Sequence, residues 1–148
     1  MSKGSVWEVV LAAASERIIM NDGESGPATL LVEDDPFMRT MLAIALEEGG
    51  FRVVEAQNAD AAMKILKQGE KINVVITDVK MPGSMDGVGL AGWMREEAPG
   101  VPVILVSGFS FETDLRAINP AIAIIVKKPC DPDEVVGWVA SLVTTPDE

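Results

Sequence analysis

Histidine is absent from this chain, and cysteine occurs once, at Cys130. The first absence excludes serine and cysteine triads that need an imidazole, zinc sites built on histidine, and any role as a phosphohistidine donor. The second excludes an internal disulfide and a cysteine metal cage. Basic residues are scarce: 12 Lys and Arg stand against 23 Asp and Glu, for a net charge of −11. That balance argues against direct binding to a nucleic-acid backbone. No apolar run is long enough to span a bilayer. The N-terminus has Lys3 and a brief apolar patch, without the ordered regions of a signal peptide. A cytoplasmic protein with no membrane contact is expected.

What is present is an ordinary globular composition: 148 residues, 48% apolar and 24% charged, enough for one domain around one core. Strand-like and helix-like stretches alternate. "ATLLVEDD" is a short apolar run ending in acids, and "PFMRTMLAIALEEGG" follows with helical spacing. Phe37, Met41, Ile44 and Ala45 share a face, Pro36 suits the first turn, and Gly49-Gly50 stops the helix. "FRVVEA" is the second strand. "NADAAMKILKQGE" is helical with Asn58 placed as N-cap, and "INVVIT" is the third strand. "DGVGLAGWMREEAP", "VPVILVSG", a short helix in "FETDLRAIN", "AIAIIV" and "DPDEVVGWVASLV" complete five βα units. Strands this apolar are buried on both faces, so a doubly wound parallel sheet sandwiched by helices is expected.

The polar residues at the strand ends then collect in one place. Glu33 and Asp34 end the first strand, Asp78 the third and Ser107 the fourth, and Lys128 follows the fifth. In a parallel sheet all carboxyl ends lie on one edge, and a 2-1-3-4-5 order reverses between strands one and three. Glu33, Asp34 and Asp78 are thereby juxtaposed. Three clustered carboxylates repel one another unless a cation sits among them. Oxygen ligands without His or Cys suit Mg²⁺. Carboxylate, Mg²⁺, lysine and hydroxyl make a phosphoryl-transfer site with the carboxylate as nucleophile. Taken singly, each residue has a plainer reading. Asp78 could cap a strand in solvent, Ser107 could be a turn residue and Lys128 a surface lysine. Asp35 reads as the N-cap of the helix after it, and Cys130 as an incidental thiol.

In this order, "LLVEDD" at 30–35, "ITDVKMPGSMDG" at 76–87, "ILVSG" at 104–108 and "VKKP" at 126–129 are highly specific. The chain from about Thr29 to Val143 resembles the receiver domain of bacterial two-component response regulators, a flavodoxin-like (βα)5 fold. The resemblance implies that Asp78 is the phosphoacceptor. Glu33, Asp34, Asp78 and the backbone carbonyl of Lys80 would hold Mg²⁺. Ser107 would be the switch hydroxyl and Lys128 the phosphate-pairing lysine, followed by a cis bond at Pro129. It also implies a sensor histidine kinase or histidine phosphotransfer protein as donor, and either docking on a downstream protein partner or a phosphorelay. Lys80, two residues beyond Asp78, is placed to tune the lifetime of the acyl phosphate.

The sequence departs from the family at Ile125, in "INPAIA" before the fifth strand and in a Gly83-Ser84 loop one residue longer than the commonest form. Ile125 stands where the family often has Tyr or Phe, which removes an aromatic switch and leaves open a receiver that works without phosphorylation. Lys80 stands where aspartate-nucleophile phosphohydrolases carry an acid/base Asp, which counts against small-molecule turnover. The receiver is expected over 28–145, with a tail at 146–148 and no room for an effector module, hence a single-domain regulator. Residues 1–27 form an extension. Ser5 and Glu8 make a capping box, Trp7, Val10, Leu11, Ala14 and Ile18 an apolar stripe over a helix of about 6–19, and "NDGESGP" a flexible linker. That helix would dock on the receiver or on a second subunit in a homodimer. It would be incidental if translation begins at Met20.

Overall fold

A computed structural model describes residues 26–83, 85–108 and 115–143. The expected N-terminal helix and the tail lie outside these residues. The elements are β1 (Ala28–Val32), α1 (Pro36–Glu48), β2 (Arg52–Ala56), α2 (Ala59–Lys67), β3 (Val74–Asp78), α3 (Gly87–Glu97), β4 (Val103–Ser107), α4 (Leu115–Ile118), β5 (Ile122–Lys127) and α5 (Pro132–Val143). The five strands are all parallel and ordered β2-β1-β3-β4-β5, as expected.

Two apolar layers flank the sheet. Leu31, Ile76, Ile104 and Val106 face α1 and α5, while Leu30, Val32, Val75 and Leu105 face α2, α3 and α4. Each fully buried Leu or Ile contributes about 1.5–3 kcal/mol over leaving it exposed. Alternate residues of one strand serve opposite layers because strand side chains have a period of two. Every residue of β1, β3 and β4 is buried. The edge strands β2 and β5 are only partly buried, which corrects the expectation that all five would be covered on both faces. An edge strand has one neighbour instead of two, so Glu55 of β2 reaches solvent.

Helix starts follow local chemistry. Asp35 Oδ1 accepts from the N–H groups of Phe37 and Met38 at 2.9 and 3.4 Å, and Pro36 occupies the first turn. Asn58 Oδ1 accepts from Ala61 N–H at 2.8 Å, and Asp86 Oδ1 from Gly89 N–H at 2.8 Å. Asp131 Oδ1 accepts from Asp133 N–H at 3.1 Å ahead of α5. α1 carries two apolar stripes. Its apolar face through Phe37, Met41 and Ile44 is turned outward, with exposures of 69, 42 and 47%. The sheet takes the adjacent stripe Leu42, Ala43 and Leu46, where the small Ala43 lets the helix backbone come close. Trp93 is half-buried with the Lys67 ammonium 5.9 Å from its ring centroid, whereas Trp138 is exposed.

Candidate functional site

The site sits where strand order reverses. β1 and β3 pair in register up to Val32 and Thr77, so the next residue of each, Glu33 and Asp78, stands side by side at the carboxyl edge of the sheet. The peptide group that follows Asp78 is held at both its oxygen and its nitrogen. The Thr77 hydroxyl donates to the Asp78 carbonyl at 2.9 Å, and Val79 N–H donates to Val106 O at 3.1 Å. On the other side, Glu33 N–H donates to Ala56 O at 3.0 Å, and its Oε2 accepts from Asp35 N–H at 3.1 Å. Asp35 is therefore occupied as a helix cap, and the exposed Asp34 is left facing the cluster. One carboxylate oxygen each from Glu33, Asp34 and Asp78 lies within 4.8 Å of the others.

Lys128 completes the group. Its Nζ lies 3.0 Å from Asp78 Oδ2, and its N–H donates to Ser107 O at 2.7 Å, tying the end of β5 to β4. The Lys128–Pro129 peptide bond is cis. Ser107 is fully buried at the end of β4, one residue past the partner of Asp78. Lys80 is exposed in the loop after β3 and lines a cleft of about 360 Å³ with Met81, Pro82 and Asp86. The structure thus brings Glu33, Asp34, Asp78 and Lys128 together directly, sets Ser107 on the neighbouring strand end, and leaves the Lys80 side chain in the loop.

The charges act on one another. Burial raises the Glu33 carboxyl above its ordinary range. The Asp35 N–H opposes that rise, and the charges of Asp78 and Asp34 add to it. Burial alone would lower Lys128. The hydrogen bond and charge of Asp78, with Glu33 behind it, outweigh burial and hold the ammonium above its usual value. The Cys130 thiol is raised by burial and the nearby Glu134, which favours its protonated form. The donor set is all oxygen, two of its three members are buried, and a single lysine offsets it. Such a set could hold a hard divalent cation.

Two residues important to this geometry were missed in the sequence. Arg39 of α1 donates from Nη1 to the Glu33 carbonyl at 2.7 Å and from Nε to Glu55 Oε1 at 3.1 Å, clamping the end of β1 to β2. No spacing signals this contact, because it joins three separate elements. Gly87 opens α3 against the end of β3. Its N–H donates to Val79 O at 2.8 Å, and an added Cβ would collide with the Asp78 carbonyl oxygen. Its signal was the glycine directly after the capping acid in "MDG".

Comparison with known proteins decides the family. The family model described as "Response regulator receiver domain" matches residues 29–140. The chain belongs to the response regulator receiver family. An NtrX-like response regulator of Rickettsia bellii is 34% identical over 109 residues, covering 72% of this chain and 23% of that protein. The chain thus spans about a quarter of the length of the first curated relatives that it matches. Among solved structures, the response regulator TrrA from Thermotoga maritima in complex with Mg²⁺-BeF superposes with a TM-score of 0.70. It is 30% identical, and the match covers 79% of this chain and 99% of that one. The signal receiver domain of a histidine kinase from Syntrophus aciditrophicus gives 0.73 at 28% identity, over 83% and 94%. The strand order and acidic pocket of this receiver are those the resemblance implied. Among the described residues, no helix is long and apolar enough to cross a membrane.

Proposed function

We propose that this receiver accepts a phosphoryl group on Asp78 from a phosphohistidine of a sensor kinase or histidine phosphotransfer protein, and signals by docking on a downstream protein. The donor imidazole lies outside these 148 residues, which contain no histidine. The observation that carries the reading is the close set of Glu33, Asp34 and Asp78 with Lys128 Nζ 3.0 Å from Asp78. A carboxylate fixed at the end of a buried strand can attack in line without reorganising. Asp78 forms the new P–O bond as the P–N bond to the donor imidazole breaks, and the imidazole leaves as the neutral base after taking a proton. Lys128 can move its hydrogen bond from the carboxylate to a phosphoryl oxygen, and the Ser107 hydroxyl can donate to another. Glu33, Asp34, Asp78 and the Lys80 carbonyl would hold Mg²⁺, the ion in the TrrA complex. When bound, that ion would neutralise charge on the phosphoryl oxygens. No small-molecule turnover is part of this reading.

The test is intact-protein mass spectrometry after incubation with acetyl phosphate and Mg²⁺. One phosphoryl group is expected on the wild type and none on Asp78→Asn or in excess chelator. Labelling that survives either change would refute the assignment.

A further inference from the structure

The three carboxylates of the site are not held in the same way. Asp78 ends a fully buried strand and pairs with Lys128, and Glu33 is buried. Asp34 is exposed, so packing does not fix its side chain. Its direction depends on the backbone on either side. The peptide group after Asp34 is held through Asp35 N–H, which donates to Glu33 Oε2 at 3.1 Å. The peptide group before it is held by Arg39, whose Nη1 donates to the Glu33 carbonyl at 2.7 Å. Peptide groups are planar, so pinning both planes sets φ and ψ of the residue between them, and with them the direction of its Cβ.

The chemistry of Arg39 suits this task. Its own N–H donates to Asp35 O at 2.9 Å in the first turn of α1, which fixes its backbone. Its Nε donates to Glu55 Oε1 at 3.1 Å, which holds the guanidinium at a second point, on β2. The bond to the Glu33 carbonyl is partly buried, whereas the bond to Glu55 is exposed. A rigid planar fork holds both acceptors at once, whereas a lysine ammonium is a point charge on a flexible stem. The other end of β2 carries a comparable clamp. Arg52 Nη1 lies 3.1 Å from Glu70 Oε2, and its Nη2 donates to Lys71 O at 3.4 Å. That clamp sits at the start of β2, away from the acidic cluster, and separates the effect of tying down β2 from any effect on the site.

We infer that Arg39 is a positioning residue for the metal site: it aims Asp34 into the cluster by pinning the Glu33–Asp34 peptide group, and Glu55 holds Arg39 in place. The inference rests on Glu33, Asp34 and Asp78 as the Mg²⁺ set.

Calorimetric titration of the full chain with Mg²⁺ tests it, at fixed ionic strength and without a phosphoryl donor, with circular dichroism reporting the fold. Arg39→Lys keeps the charge and should weaken Mg²⁺ binding about tenfold or more, the usual cost of losing an outer partner of a metal ligand. The matched Arg52→Lys should change it by less than about twofold. Glu55→Ala changes an exposed site on an edge strand, which keeps the test open if Arg39→Lys fails to fold. It should weaken binding by about twofold to fivefold, the range of an exposed ion pair. Glu70→Ala, which removes the same charge from the Arg52 clamp, should weaken it less. Equal losses in Arg39→Lys and Arg52→Lys, no loss in Arg39→Lys, or a Glu55→Ala effect no larger than that of Glu70→Ala would each overturn the inference and leave the Mg²⁺ set standing. A wild type that binds no Mg²⁺ would remove the set itself, and the inference with it.

Discussion

Glu33 shows how one residue can weaken the fold it serves. It is buried, its carboxyl is raised above the ordinary 4.5 by that burial, and Asp78 and Asp34 stand beside it. A raised acid binds its proton more readily in the folded state than in the unfolded one. Its favourable contribution is therefore full below pH 4.5 and is lost as pH rises through the higher folded value. Glu33→Gln has no such dependence. With metal chelated, the wild type should match the variant near pH 4.5 and fall progressively behind it toward neutral pH. Urea unfolding of both proteins across that range checks it. Parallel curves would mean that burial does not disfavour the ionised form. The same desolvated charge is what makes the position suited to a cation, so function here opposes metal-free stability.

Two of the three glycines of α3 have opposite roles. At Gly87 a methyl group would meet the Asp78 carbonyl oxygen and lie 3.0 Å from both the Asp78 carbonyl carbon and Val79 Cα. Backbone atoms cannot give way as a flexible side chain can, so Gly87→Ala should destabilise by about 1–3 kcal/mol. Gly92, in the middle of the same helix, has nothing within 4 Å of its added Cβ. Gly92→Ala should therefore stabilise by up to about 1 kcal/mol through helix propensity alone. Urea midpoints that move in opposite directions for the two variants are the expected result. Shifts of the same sign would show that the approach of α3 to β3 is looser than its hydrogen bond from Gly87 to Val79 implies.

The receiver has its acidic cluster on one sheet edge, and the whole chain carries a net charge of −11. A divalent ion bound only by the folded state stabilises by mass action, by about 2.7 kcal/mol at a hundred times its dissociation constant. Thermal unfolding in Mg²⁺ should therefore shift upward by more than in a monovalent salt of equal ionic strength. The excess should vanish in Asp34→Asn, which changes an exposed side chain and spares the core. Equal shifts in the two salts would reduce the effect to screening of surface charge.

Much of this molecule was legible in the linear order of its residues. Five apolar runs separated by helical periods, caps at Asp35 and Asn58, and a polar residue at each of the right strand ends are local records, written in spacings of two and 3.6. Parallel pairing then follows, and with it the meeting of Glu33, Asp34 and Asp78. Three features were decided by tertiary structure. α1 had two apolar stripes, and only packing against the sheet selected Leu42, Ala43 and Leu46 over Phe37, Met41 and Ile44. The Arg39 clamp joins a helix to two strands, and Gly87 lets α3 start against the Asp78 carbonyl. Neither leaves a periodic trace. Periodicity tells which residues share a face, whereas burial depends on which face the neighbouring elements can approach most closely, and that is set only when the layers assemble.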